Sequence, residues 1–211
     1  LLGLVFKKDE IPYPTIAGEE LANGGNSIAI MQHQLINLQY PSPYSRGPFV
    51  NIDPSIKIKP FKFVLEILKD SSIKYLTEVE TIIPIIYGRD DSKKTSCINK
   101  ILNLRRLNLN ARNKKDEIKN LKKIINNPND LLTSRTINNT VEARLKDLCD
   151  VANTVFNYLH ANLLVSKEKH NRNYKYIINS ENLPNINKII NSAKNYIPYE
   201  YSSERNIRVI K

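Results

Sequence analysis

At 211 residues, 41% of them hydrophobic, the chain is long enough to bury one large core or two small ones. Its 32 Lys and Arg against 21 Asp and Glu give a formal charge of +11, a balance suited to a phosphate-bearing partner. There is no apolar run of membrane-spanning length, no signal peptide and no lipidation signal, and Cys97 and Cys149 lack zinc or redox spacing. These features predict a cytoplasmic protein with no membrane partner and two buried apolar thiols in a reducing compartment.

The first 22 residues have the pattern of a wing closing onto a helix. An apolar run from Leu1 to Phe6 is one short strand in length, and a charged tip with two prolines follows. Thr15-x-x-Gly18-x-x-Leu21 then opens a helix that the Thr15 hydroxyl can cap. The helices that normally precede a wing are missing, so the chain is expected to be a piece of something larger. Ile28, Met31, Leu35 and Leu38 have helical spacing, and Tyr40-Pro-Ser-Pro-Tyr44 stops that helix. A loop rich in Pro and Gly runs to Lys59. Pro60 opens the next helix, with Phe61, Val64, Leu65 and Leu68 as its apolar stripe.

Thr77-Glu-Val-Glu80 is a capping-box sequence for a helix from Glu78 to Tyr87, which Pro84 should shorten or kink. Asp91 to Leu107 is predicted helical, with Ile98, Ile101, Leu102 and Leu104 facing inward. Asn108 to Asn127 is a basic helix anchored by Ile118, Leu121, Ile124 and Ile125. Val141, Leu145, Leu148, Ala152, Val155, Phe156 and Leu159 mark the clearest amphipathic helix. Leu163 to Val165, a polar tip from Ser166 to Asn173, and Tyr174 to Ile178 form a second hairpin. Asn182 to Asn195 closes as a helix, and Tyr196 to Lys211 has no helical period. The order helix, helix, helix, hairpin, helix appears once in full and its tail end appears again at the start. This predicts a mainly α chain with short β-hairpins in a tandem winged-helix architecture. The first, N-terminally truncated unit covers 1–70, the second 71–195, and a linker 196–211.

Charge is concentrated in one block. Between Arg89 and Lys175 lie 19 of the 32 basic and 9 of the 21 acidic residues, so this block carries nearly the whole imbalance. Arg105, Arg106, Arg112, Lys114, Lys115, Lys119, Lys122 and Lys123 form a dense cluster whose simplest use is phosphate contact. The helix from Val141 offers Arg144, Lys146, Asn153, Asn157 and Tyr158 off its apolar stripe. Arg can pair with guanine O6/N7 and Asn with adenine N6/N7. Lys167, Lys169, His170 and Arg172 on the second hairpin tip, and Lys7 and Lys8 on the first, suit backbone or minor-groove contact. A solvated basic face is the competing reading of each.

Catalytic signals are lacking. His33, His160 and His170 have no metal spacing, and no glycine loop for phosphate exists. The only acid-x-Lys, Glu117-Ile-Lys119, lies in a lysine-rich helical stretch rather than an apolar strand, so no catalytic residue, metal ligand or cofactor is assigned.

The motifs also carry a family resemblance. Gly3-Leu-Val-Phe6, Thr15-Ile-Ala-Gly18-Glu-Glu-Leu-Ala-Asn23, Gln34-Leu-Ile-Asn-Leu-Gln-Tyr-Pro41 and Ile58-Lys-Pro-Phe-Lys-Phe-Val-Leu-Glu-Ile-Leu68 occur in order. With Asp150-Val-Ala-Asn-Thr-Val-Phe-Asn-Tyr-Leu159 and its hairpin, they resemble the recognition region of AlwI-type type IIS restriction and nicking endonucleases. The resemblance implies a half that reads double-stranded DNA. It also implies a magnesium-dependent PD-(D/E)XK cleavage domain, or a second nuclease subunit, that this sequence does not contain. The chain should then bind without cutting. Two rivals are a winged-helix regulator or replication initiator without a nuclease, and a basic scaffold that binds no DNA specifically.

Overall fold

The computed structural model describes residues 3–8, 11–40, 55–125, 141–170, 173–193 and 196. Strands β1 (Val5–Lys8) and β2 (Ile11–Pro14) pair as an antiparallel hairpin, with Val5 opposite Pro14 and Lys8 opposite Ile11. The strand thus starts later than the apolar run suggested, and both prolines belong to β2 rather than to a tip. Their positions matter. The Thr15 amide donates inward to Leu4 O (3.0 Å), so alternation places the donorless nitrogens of Pro12 and Pro14 on the outer edge.

Helix α1 (Ile16–Ala22) begins as its sequence predicts: Thr15 Oγ1 accepts from the Gly18 amide (3.2 Å) and donates to Gly3 O (2.7 Å). Gly18 is required there, since a Cβ would stand 2.1 Å from Leu4 O. Helix α2 (Ser27–Asn37) starts at the Asn26 cap but turns a different face inward than expected. It buries Ile30, Gln32, Leu35 and Ile36, while Ile28 is exposed. The reason is polar: the buried Gln32 amide donates to Asn162 O (2.8 Å) and accepts from Asn185 (3.2 Å), which fixes the rotation of α2. Tyr40 and Ile58 form an isolated antiparallel bridge; the proline-rich loop between them falls at 41–54, outside the described residues.

Helix α3 (Pro60–Leu68), with Pro60 in its first turn, is more deeply enclosed than a single stripe requires. Phe63 and Ile67 are buried with the predicted Phe61, Val64, Leu65 and Leu68, leaving Lys62 and Glu66 outside as an ion pair (3.3 Å). The short strand β3 (Leu76–Thr77) leads straight into α4 (Glu78–Tyr87). The capping box is complete: Glu80 N donates to Thr77 Oγ1 (3.3 Å), and Thr77 N donates to Glu80 Oε2 (2.9 Å). Pro84 does not cut α4 short, which continues to Tyr87. It ends where Gly88 N donates to Pro84 O (2.9 Å), and a Cβ on Gly88 would lie 2.6 Å from Phe63 Cε1.

A one-turn 3-10 helix (Asp91–Lys93) precedes α5 (Lys94–Leu107), which buries Cys97, Ile98, Ile101 and Leu104. The basic stretch after it is not one helix. A second 3-10 turn (Asn108–Asn110) comes first, and α6 (Lys114–Ile124) starts afresh at the Asn113 cap. Helix α7 (Val141–Ala161) runs directly into β4 (Val165–His170), which pairs with β5 (Asn173–Ile178). The tip is therefore shorter than predicted, because ladder pairing extends to His170 opposite Asn173. β5 also pairs with β3, Leu76 opposite Tyr176, so the antiparallel sheet has the order β3-β5-β4. Helix α8 (Leu183–Ser192) buries Ile186 and Ile190. One apolar cluster runs from Leu35 on α2 through α3, α4, α5, α6 and α7 to Ile190.

The Glu80 carboxylate is 4% exposed as a residue and also receives Arg105 Nε on its other oxygen (2.8 Å). Breaking a buried pair leaves its partner uncompensated. Glu80→Ala is therefore expected to lower unfolding free energy by about 3 kcal/mol. Thr77→Ala, which removes only the cap, should cost about 1 kcal/mol. Urea titration followed by circular dichroism measures both, and equal losses would count against the shared role of Glu80.

Candidate nucleic-acid interface

Burial divides α7 cleanly. Of the predicted stripe, Leu145, Leu148, Ala152, Phe156 and Leu159 are buried, Val141 and Val155 are half-buried, and Cys149 is buried beside them. Lys146, Asp150, Thr154 and Asn157 face out, on neighbouring turns of the opposite side. Asn153 is half-buried on the flank of that outer face. Arg144 does not belong with them. It is 8% exposed and directed into the fold, which removes it from the candidate base readers and corrects the sequence reading.

The hairpin is fastened to α7 by aromatic stacking. Tyr176 on β5 is fully buried and lies over Phe156, ring centroids 3.9 Å apart and planes within 6°. Its hydroxyl has no hydrogen-bond partner among the described residues, and burial, reinforced by the nearby Glu78 carboxylate, pushes its pKa up to about 12. Lys167 on β4 extends over the Tyr174 ring (4.1 Å) and more distantly over Tyr176 (5.6 Å). Glu168 pairs with Lys175 across the strands (3.0 Å). Lys167 and Lys169 are both exposed and form no ion pair among the described residues, and of the two Lys169 is the one not laid over an aromatic ring there. Arg172 lies outside the described residues. Lys7 and Lys8 sit on β1, opposite Pro12 and Ile11.

The basic cluster divides in two. Arg105 is structural. Its guanidinium holds Glu80, donates to Ile73 O (2.9 Å) and Tyr75 O, and covers the Tyr75 ring (4.1 Å). No donor capacity of consequence is left for a phosphate, which corrects its assignment as a contact residue. Lys114 is ion-paired to Glu78 (2.8 Å). Burial lowers its affinity for a proton, but the Glu78 hydrogen bond, with Cys149 and Asp150 nearby, leaves its pKa raised overall. Arg106, Arg112, Lys115, Lys119 and Lys123 remain exposed, and none forms an ion pair among the described residues. Lys115, Lys119 and Lys122 follow one another at i, i+4 and i+7 along α6, so their ammonium groups line one side of the helix.

The remaining sequence candidates fall away from this surface. His33 is exposed on α2, and His160 Nδ1 lies 3.1 Å from Val165 O at the α7–β4 junction. Glu117 and Lys119 stand on helix α6, not on a strand. No cluster of metal-binding side chains occurs among the described residues, and no helix among them is long and apolar enough to cross a membrane. Both cysteines are free and buried. Sequence reasoning did not single out Phe156 and Tyr176 as the pair that carries the hairpin. Their 20-residue separation hides the stack.

The fold is thus a basic, mainly helical domain with a small antiparallel sheet. Among the described residues, exposed cations without an ion pair include Arg106, Arg112, Lys115, Lys119 and Lys123 along the end of α5, the turn and α6, Lys146 on α7 and Lys169 on β4. The family model "Restriction endonuclease BpuJI - N terminal" matches residues 1–210, and the chain belongs to that family. A solved structure of pyrene- and phenanthrene-modified DNA in complex with the BpuJ1 endonuclease binding domain is similar in fold. The two align with a TM-score of 0.54 at 14% identity, covering all of this chain and 70% of that one. No curated protein matches the chain.

Two measurements check this geometry. Tyr176→Phe keeps the stack and removes an unpartnered hydroxyl, so stability should hold or rise by up to about 1 kcal/mol; a loss above that would reveal a hidden partner for the hydroxyl. Burial also pushes the Cys97 thiol up to about 12 from its ordinary 9.0. The unfolded chain ionises first as pH rises, so this contribution to stability is complete below pH 9 and is lost progressively between pH 9 and 12. Denaturation midpoints measured across that window should fall, and should fall less in Cys97→Ala.

Proposed function

We propose that this chain reads duplex DNA sequence for a site-specific endonuclease. The observation that carries the reading is the row of exposed cations without ion pairs from the end of α5 along α6, with Lys146 on α7 and Lys169 on the hairpin, in a chain of a restriction-endonuclease family whose structural neighbour is bound to DNA. The sheet order β3-β5-β4 supports a winged helix for the second unit. β3 would be its first strand, α4 its second helix and α7 the third helix that precedes the wing, with α3, the last helix of the first unit, standing where its first helix would. On this reading α5 and α6 are an insertion between the second and third helices. α7 takes the groove-reading position, with Lys146, Asn153, Asn157 and Asp150 presented to base edges. Lys169 and the free cations of α6 contact phosphates.

The division into units at 1–70 and 71–195, with 196–211 leading onward, belongs to this proposal, as does Lys7 and Lys8 contacting the backbone. So does the AlwI-like type IIS character of the intact enzyme, in which a magnesium-dependent nuclease domain or subunit cuts outside the site. The motif order along the sequence supports that finer reading.

Binding to a duplex selected from a random pool by this chain is the direct test. With roughly 6 phosphate contacts, log Kd against log salt should have a slope magnitude near 5, weakening with salt. Asn157→Ala or Lys146→Ala should cost about 1–3 kcal/mol on the selected duplex and little on random DNA. Lys169→Ala should weaken both alike and flatten the slope by about one unit. A salt-independent interaction, or helix substitutions that act equally on selected and random duplexes, would remove α7 as the reader.

A further inference from the structure

The turn between α5 and α6 carries the most exposed large apolar side chain among the described residues, Leu109 at 82%. An isolated exposed leucine is ordinary. This one differs in how firmly it is held. Asn120 on α6 donates from one amide to both Leu107 O (2.9 Å) and Asn108 Oδ1 (2.9 Å), pinning the start of the 3-10 turn. Ala111 N closes the turn on Asn108 O (2.9 Å), Asp116 accepts from Arg112 N (3.0 Å), and Asn113 caps α6. Five hydrogen bonds thus fix a turn whose apex is a hydrocarbon in water. Leu107, itself 37% exposed, extends the apolar apex. The exposed Arg106, Arg112 and Lys115 flank it along the chain and form no ion pair among the described residues, the Asp116 carboxylate being held by the Arg112 amide.

The start of α6, which follows the turn, stands close to α7. Lys114, the first residue of α6, reaches Glu78 at the start of α4 and lies within the fields of Cys149 and Asp150. A rigid apolar point flanked by guanidinium and ammonium groups suits one chemistry, the stacked bases of a duplex approached between two phosphate rows. We propose that Leu109 is a wedge: it enters the minor groove beside the segment read by α7 and partly unstacks one base step, while Arg106 and Arg112 hold the flanking phosphates. The inference rests on the DNA-reading function above and adds to it a deformation of the bound duplex. Any sequence preference at the wedged step would come from the ease of unstacking rather than from base-edge hydrogen bonds.

The side chain is so exposed that Leu109→Ala should leave folding untouched, so any effect reports the interface. Duplexes carrying 2-aminopurine at successive positions in and beside the selected site serve as the probe, because this base brightens when unstacked. The wild-type chain should raise fluorescence at one step and Leu109→Ala should abolish the rise. Affinity should fall about tenfold in Leu109→Ala, with the salt slope unchanged because no cation is lost. A wild-type complex that stays dark at every position overturns the wedge, as does a Leu109→Ala chain that matches wild type in affinity and fluorescence. In both cases, salt-dependent duplex binding by the wild type leaves the DNA-reading function standing. A wild-type chain that binds no duplex sinks both.

Discussion

One carboxylate organises the second half of this fold. Glu80 completes the capping box of α4 with one oxygen and holds Arg105 with both. Arg105 in turn ties the carbonyls of Ile73 and Tyr75, the two residues that lead into β3. The start of α4, the end of α5 and the position of β3 are therefore set by a single charge pair. β3 is the strand on which β5 lies, and β5 carries Tyr176 onto Phe156. The hairpin reaches its place on α7 through a chain of contacts that begins at Glu80.

A strongly basic chain must use some of its cations for folding without spending all of them. Here the division follows access to carboxylates. Arg105, Lys114, Lys62 and Lys175 each find an acid that the fold has half-buried or placed across a strand pair. Arg106, Arg112, Lys115 and Lys119 are exposed along the end of α5, the turn and α6, and form no ion pair among the described residues. Exposed pairs contribute little to stability, so leaving these cations uncompensated costs the domain little. It gives the surface its field. The α5–α6 segment does two jobs at once, since its inner side supplies core residues and its outer side supplies charge.

Local signals were legible in the sequence because the groups that make them lie within a few residues. The Thr15 cap, the Thr77–Glu80 box and the apolar spacing of α7 needed no knowledge of distant partners. Failures came where a distant partner decided the outcome. Arg105 and Arg106 are adjacent and alike in sequence, yet only Arg105 meets Glu80, 25 positions away. Arg144 stood at the margin of the α7 stripe, and packing turned it inward. In α2, Gln32 outranked Ile28 for the interior because the Asn162 carbonyl and the Asn185 amide were waiting for it. Charge density located the basic stretch, but which of its members are held in ion pairs depended on distant partners.

The first hairpin has a consequence of a different kind. It is a two-stranded ribbon with apolar side chains in water, among them Val5, Ile11 and Tyr13. Such an edge would ordinarily recruit a third strand from another molecule. Pro12 and Pro14 occupy the two outward positions of β2, so the edge offers carbonyls without the alternating amides that a ladder needs. A neighbouring chain could extend the sheet only from β1, and two chains joined there would leave a proline-blocked β2 edge on either side. The hairpin can thus keep its sticky surface at high concentration without seeding fibrils.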